Sequence, residues 1–234
     1  MLSLSAAAPR RRQGTARLLG KALLIALALP LPFVAAYRFL PSPVTPLMII
    51  RYAEGEPLRK QWTPLNRLSP WLLRAVVASE DASFCRHHGF DWVEIADAID
   101  RFREGGRLRG ASTISMQTAK NLFLWPGRSL LRKAIESYLT VPIELTWPKS
   151  RILEVYLNVV EWGHGVYGAE AAAQAHFHKP ALAHTPREAA LLAAILPDPR
   201  ELSADRPSAY VDERAAVIEA RMSGVEIPGV PTCR

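Results

Sequence analysis

The chain has 234 residues, 49% of them hydrophobic, with 29 Lys and Arg against 22 Asp and Glu for a formal net charge of +7. That apolar share excludes disorder as a global state and suffices for one packed domain of ordinary size. The charge does not indicate a nucleic-acid binder: Arg10, Arg11, Arg12, Arg17 and Lys21 fall in the first 21 residues, with no acidic residue among them, and the remainder is close to neutral, whereas a nucleic-acid module carries its basic excess on the folded domain.

Residues 1–17 read as a basic tail. Residues 22–37 carry no charged or strongly polar side chain and are bracketed by Lys21 and Arg38. This run is shorter than the ~20 residues that span a bilayer comfortably. Leu18, Leu19, Phe39 and Leu40 extend it to 18–40, and Lys21 and Arg38 reach the interfaces. Pro30 and Pro32 are expected to bend the helix without forbidding it. A cleaved signal peptide has the same order of basic and apolar regions. An uncleaved signal anchor is preferred, because the run lies at the long end of the signal-peptide range. The basic cluster places the N-terminus in the cytoplasm and everything after about residue 41 outside it. Cys85 and Cys233 form neither a disulfide framework nor a metal-ligand spacing, so two free thiols are expected.

Residues 41–64 are Pro-rich and read as a linker with a lead-in loop, which leaves 65–234 as a single, mainly α domain. Leu72, Leu73, Val76 and Val77 make one apolar helical face. Trp92, Ile95, Ala96, Ile99 and Phe102 repeat at helical spacing up to Gly105-Gly106. Ser112-Thr113 caps a helix running to Leu124. Residues 130–147 are periodic, with Pro142 an expected kink or break. Further helices are expected over 152–160, 169–177, 188–196 and 210–222, with few strand alternations.

Four stretches hold residues suited to chemistry. Glu80, Asp81, His87, His88 and Asp91 crowd into twelve residues after an apolar helix, and Glu80 at the helix end suits a general base. His87, His88 and Asp91 match no recognised metal spacing. Gly110, Ala111, Ser112 and Thr113 enter a helix with free N–H groups and hydroxyls for an anion, and Lys120 adds a cation; a plain helix cap is the alternative. Arg128, Arg132 and Lys133 precede Glu136, an arrangement that serves a diphosphate or a surface ion pair equally. The last stretch runs from Lys149 to Asn158 and on through Glu161-Trp162-Gly163-His164-Gly165-Val166-Tyr167-Gly168. It reads as core helix plus tight turn, with no catalytic group assigned.

Together these stretches resemble the family 51 glycosyltransferases of peptidoglycan synthesis, especially the stand-alone transglycosylases. Glu80, Asp81, Phe84, His87 and Gly89 resemble the family's Glu-Asp-x-x-Phe-x-x-His-x-Gly. Gly110, Ser112, Thr113 and Gln117, followed by Lys120-Asn121, resemble Gly-Gly-Ser-Thr-x-x-x-Gln and its Lys-Asn. Arg132, Lys133 and Glu136 resemble Arg-Lys-x-x-Glu, and residues 149–158 resemble Ser-Lys-x-x-Ile-Leu-Glu-x-Tyr-Leu-Asn. The likeness runs from about residue 65 to 222. Ala111, Met116, Pro148 and Pro142 depart from the pattern and remove no proposed catalytic group.

The resemblance implies a lysozyme-like glycosyltransferase domain with a membrane-proximal jaw. It implies polymerisation of the lipid-linked disaccharide lipid II by a growing glycan on undecaprenyl diphosphate, with inversion. Glu80 and Glu136 would be catalytic, Glu80 as base and Glu136 on the diphosphate side. Lys120, Arg128, Arg132 and Lys133 would neutralise the leaving group. Asp81, Phe84, His87, Gly110, Ser112, Thr113, Gln117 and Asn121 would line the substrate sites. No tightly bound cofactor is implied; a divalent Mg or Mn ion on the diphosphate side is left open. The implied setting is a bacterial inner membrane crossed once, with the domain in the periplasm, the membrane and division or elongation proteins as partners, and no nucleic acid. The rival readings are a peptidoglycan hydrolase or lytic transglycosylase, which has no diphosphate to bind, and an inactive scaffold.

Overall fold

The structure, a computed structural model, describes residues 10–106, 110–127, 129–229 and 233. The apolar N-terminal segment forms α1 (Arg10–Ala28) and α2 (Leu31–Tyr37), separated by a turn at Leu29 and Pro30. The bend falls where the prolines predict it. Pro32 sits in the first turn of α2, where its missing N–H costs nothing. The stretch Gly20–Tyr37 is long and apolar enough to cross a membrane, and Leu23, Leu24 and Ile25 are exposed along it.

This segment is stitched to the rest of the chain by polar contacts near its end. Tyr138 donates to the Leu27 carbonyl at 2.6 Å and the Trp147 indole to the Val34 carbonyl at 2.9 Å. Arg151 donates to the carbonyls of Tyr37 and Leu40 at 2.6–3.0 Å.

Residues 41–64, expected as a linker, contain α3 (Pro46–Ala53) and β1 (Arg59–Lys60). Thr45 caps α3, Pro46 opens it, and Met48 is fully buried. β1 runs parallel to β3 (Val166–Tyr167), which pairs antiparallel with β2 (Glu161–Gly163).

The helical body begins with α4 (Pro70–Glu80), capped by Ser69 and burying Leu72, Leu73, Val76 and Val77. It packs with α10 (Pro186–Ile195) and α11 (Ala209–Arg221). On the other side α6 (Ile114–Phe123) packs against α7 (Leu130–Thr146) and α8 (Lys149–Val159). α9 (Ala169–Phe177) follows β3, and Phe84, Tyr156, Trp162 and Tyr167 are the largest rings of the core.

Two expectations are corrected. First, no break falls at Pro142: α7 runs through it as one helix. The proline removes one internal hydrogen bond, but Leu139, Thr140 and Ile143 are buried around it, and such packing offsets a penalty of about 3 kcal/mol. α5 (Trp92–Arg103) forms where its periodicity predicts; of its residues only Ala98 is buried, while Trp92, Ile99 and Phe102 are exposed. Second, Cys85 and Cys233 are not free thiols but a disulfide, with Cα atoms 4.7 Å apart across 148 residues of sequence. No local spacing announces a bridge of that span.

The fourth stretch proves architectural. Asn158, fully buried, accepts from the Thr63 amide at 2.7 Å and donates to the Thr63 carbonyl at 2.9 Å. Glu154 accepts from the Leu65 amide at 2.8 Å. Gly165 has φ +65°, and a Cβ there would stand 1.8 Å from the Pro57 carbonyl oxygen. These residues clamp the segment before α4 onto α8 and the β2–β3 turn, fixing where α4 starts and so where Glu80 ends up.

Candidate active site

α4 delivers Glu80 to the wall of an open cleft of about 840 Å³. The cleft is also lined by Asp81, His87, Gly110, Ser112 and Thr113, and by Arg86, His88, Trp92, Val93 and Arg221. Glu80 is the last residue of α4, and its side chain keeps 14% exposure. Its Oε2 accepts from Gln117 Nε2 at 3.0 Å and its Oε1 from Ser79 Oγ at 3.3 Å. Gln117 Oε1 in turn accepts from the Tyr156 hydroxyl at 3.2 Å. Burial holds that phenol above its ordinary range, and the charges of Glu80 and Asp81 push the same way.

Asp81 is buried and fully employed. It accepts from His87 Nε2 at 2.9 Å and from the Ile114 amide at 2.9 Å, which anchors the first turn of α6. His87 Nδ1 accepts from the Gly89 amide at 3.2 Å, so the ring carries its proton on Nε2. Phe84 is fully buried, edge-on to His87, with Lys149 Nζ 4.6 Å from its ring centroid. Lys149 also pairs at 2.7 Å with Glu144. Gly89 has φ +90°, and a Cβ would meet Glu144 and Thr140 side-chain atoms at 2.9–3.0 Å, so the loop lies directly on α7. Phe84, His87 and Gly89 therefore shape the loop that follows Glu80 and tie it down.

Thr113 is the cap of α6: its Oγ1 accepts from the Met116 amide at 3.2 Å and donates to the Gly89 carbonyl at 2.6 Å. Met116 and Asn121 are buried on α6, so an apolar side chain at 116 costs the site nothing. Ser112 is the junction of the two halves. Its carbonyl accepts from Gln117 at 3.4 Å, and its hydroxyl accepts from Lys133 Nζ at 2.8 Å.

Beyond Ser112 stands a cation cluster on α6 and α7. Ser129 caps α7, so Arg132, Lys133 and Glu136 share its first turns. Glu136 is 2% exposed and both oxygens are occupied, Oε2 by Arg132 at 2.9 Å and Oε1 by Lys133 at 2.6 Å. Lys133 stays 39% exposed. Burial lowers the Lys120 ammonium from its ordinary value, against the pull of Glu136 and with the push of Arg132. Arg128 lies outside the described residues.

Glu80, Asp81, His87, Gly110, Ser112 and Thr113 thus meet around one cleft. Gln117, Lys120, Arg132, Lys133 and Glu136 form the polar cluster that Ser112 joins to it, while Phe84 and Asn121 lie in the core. Tyr156 was missed as a partner of the site, although a tyrosine inside an otherwise apolar helical run marks a buried hydroxyl that needs a partner. Arg214, 3.9 Å from Glu80, carries no sequence signal of this kind.

The transglycosylase family model matches residues 48–223. The chain is 56% identical over 214 residues to the biosynthetic peptidoglycan transglycosylase of Rhodospirillum centenum, covering 91% of this chain and 93% of that one. It is 48% identical to the protein of the same name from Caulobacter vibrioides, covering 90% and 92%. To that of Ectopseudomonas mendocina it is 54% identical, covering 81% of each. The match begins inside α3, in keeping with the packing of residues 41–64 onto the helical body, and it takes in every element around the cleft. The chain belongs to the transglycosylase family.

Proposed function

We propose that the chain is a membrane-anchored peptidoglycan glycosyltransferase that polymerises lipid II, with Glu80 as general base and the Lys120–Arg132–Lys133 cluster as the leaving-group site. The observation that carries this reading is the double engagement of Ser112: its carbonyl accepts from the Gln117 amide that also holds the cleft-facing Glu80, and its hydroxyl accepts from Lys133 of the cation cluster. Transfer between sugars needs both. Glu80 takes the proton of the acceptor sugar hydroxyl as its oxygen forms a bond to the donor's anomeric carbon. The bond from that carbon to the lipid diphosphate breaks, and the departing charge falls to the cations. Attack from the face opposite the leaving group inverts the anomeric centre.

Glu136 orients Arg132 and Lys133 for this task. The divalent-ion alternative is poorly served here: Glu136 is the carboxylate of the cluster and its oxygens are already paired with cations, whereas Mg or Mn needs free oxygen donors.

The exposed apolar surface of α1 and α2 supports an anchor in the inner membrane, with the domain on the periplasmic face. The disulfide supports an oxidising compartment outside the cytoplasm. Confinement of enzyme and lipid-linked substrate to one surface raises their effective concentration. The test is incubation of the purified full chain with labelled lipid II and, separately, with preformed glycan. Glycan strands from lipid II are the expected result; cleavage of preformed glycan without polymerisation would replace this reading with a hydrolase.

A further inference from the structure

Arg214 lies on α11, outside all four stretches that carry the chemistry. Its Nη2 donates to Ser79 Oγ at 3.1 Å and stands 3.9 Å from Glu80 Oε1. Ser79 Oγ lies 3.3 Å from that same oxygen and 3.4 Å from the Ala193 carbonyl. With Arg214 donating to the hydroxyl, its single hydrogen is left for one of these two acceptors, and the carboxylate is the charged one. Gln117 holds the other Glu80 oxygen. Each carboxylate oxygen therefore has a side-chain partner, while Glu80 lines the cleft.

Several features tie the guanidinium to Glu80 rather than to its own helix. Among the described residues it is the one cation within ion-pair distance of Glu80. Of the acidic residues of α11, Asp212 and Glu219 pair with Arg187 of α10 instead, and adjacent Glu213 points to a different face of the helix, as i and i+1 residues do. Arg214 Nε is buried without a partner among the described residues, and Nη2 carries the contacts to Ser79 and Glu80. Val211, Ala215 and Ile218 bury the face of α11 that packs on α4 and α10, which fixes the approach. Arg214 does not line the cleft; it stands behind the base.

We infer that Arg214 is a positioning residue for the glycosyl transfer, acting directly and through Ser79 to hold the Glu80 carboxylate in the orientation that meets the acceptor hydroxyl. This rests on the reading of Glu80 as the base. Displacing a catalytic group by about an ångström costs on the order of a hundredfold in rate, and a brace lost on one side permits such a displacement.

The experiment is steady-state polymerisation of lipid II by the full-length wild type and its Arg214→Gln, Arg214→Lys and Glu80→Gln variants, with a thermal melt of each. Arg214→Gln is expected to lower kcat about ten- to a hundredfold with KM within about twofold. Arg214→Lys, which keeps the charge, is expected to recover most of that loss, and neither substitution should lower the melting temperature in proportion to its rate. Full turnover by Arg214→Gln beside an inactive Glu80→Gln would overturn the positioning role and leave the base intact. Equal rate losses in the Gln and Lys variants, tracking equal losses of thermal stability, would mark Arg214 as structural. Normal turnover by Glu80→Gln would remove the base and this inference together.

Discussion

Gln117 bridges Glu80 and Tyr156, donating from Nε2 to the carboxylate at 3.0 Å and accepting the phenol hydrogen on Oε1 at 3.2 Å. The tyrosine satisfies the amide oxygen and so reinforces the orientation that presents N–H to Glu80 and to the Ser112 carbonyl. Tyr156→Phe leaves that oxygen without its donor and loosens the amide beside the carboxylate. Turnover with lipid II is expected to fall several-fold, for a stability cost of about 0.5–1.5 kcal/mol. Kinetics and a thermal melt of the same preparation check this; unchanged turnover would show that Gln117 is held by other means.

Glu136 differs from Glu80 in a way that stability should report. Arg132 is 9% exposed and pairs with Glu136 at 2.9 Å. Glu136→Gln leaves that guanidinium buried without its counter-charge, a change that costs about 3–5 kcal/mol in comparable sites. A drop in melting temperature of about 10 °C is expected, with weakened use of the lipid-linked donor. A Glu136→Gln variant that melts with the wild type would mean that the pair contributes little to folding.

The Cys85–Cys233 bridge closes a loop of 148 residues around the domain and ends two residues before His87. By the chain-entropy argument such a loop contributes up to about 5 kcal/mol through the unfolded state. Reduction of the folded protein is expected to lower its thermal midpoint and to raise hydrogen exchange over residues 81–91, where Asp81 and His87 are tied together. Equal midpoints with and without reductant would exclude a stabilising role.

His184 supplies a pH dependence. It is 3% exposed, lies edge-on to Phe177 with ring centroids 5.8 Å apart, and neither ring nitrogen has a partner among the described residues. Burial lowers its pKa from 6.5 to about 4. Between those values the unfolded chain holds the proton and the folded one does not. The stability of burying the neutral ring is therefore complete above about pH 6.5 and lost as pH falls towards 4, by about 2 kcal/mol at pH 5. His184→Leu should lose less stability than the wild type between pH 7 and pH 5 in denaturant titrations. Identical losses would place the pH dependence elsewhere.

The helices were legible because their signals are local. Ser69-Pro70, Asp91, Thr113 and Ser129 each cap a helix whose apolar residues follow at the proper spacing. The site's charged groups were legible for the same reason: Glu80 and Asp81 end α4, and Arg132, Lys133 and Glu136 follow the cap of α7 within two turns. What escaped depends on partners far along the chain. Asn158 meets Thr63, Arg214 meets Ser79, and Cys85 meets Cys233, and no periodicity encodes such meetings. Glu136 belongs to both groups: its spacing from Arg132 predicts the ion pair, but only burial shows that both oxygens are used. α5 forms as its spacing predicts but leaves Trp92, Ile99 and Phe102 exposed, because helical spacing reports which residues share a face and not what covers that face.

The most direct test is a comparison of wild type and Glu80→Gln, both folded by thermal melt, in polymerisation of labelled lipid II. The account predicts glycan strands from the wild type and none from Glu80→Gln, with melting temperatures within about 2 °C of each other, because Glu80 faces the cleft and the isosteric amide keeps an oxygen to accept from its neighbours. Polymer from Glu80→Gln at a rate near that of the wild type would contradict it.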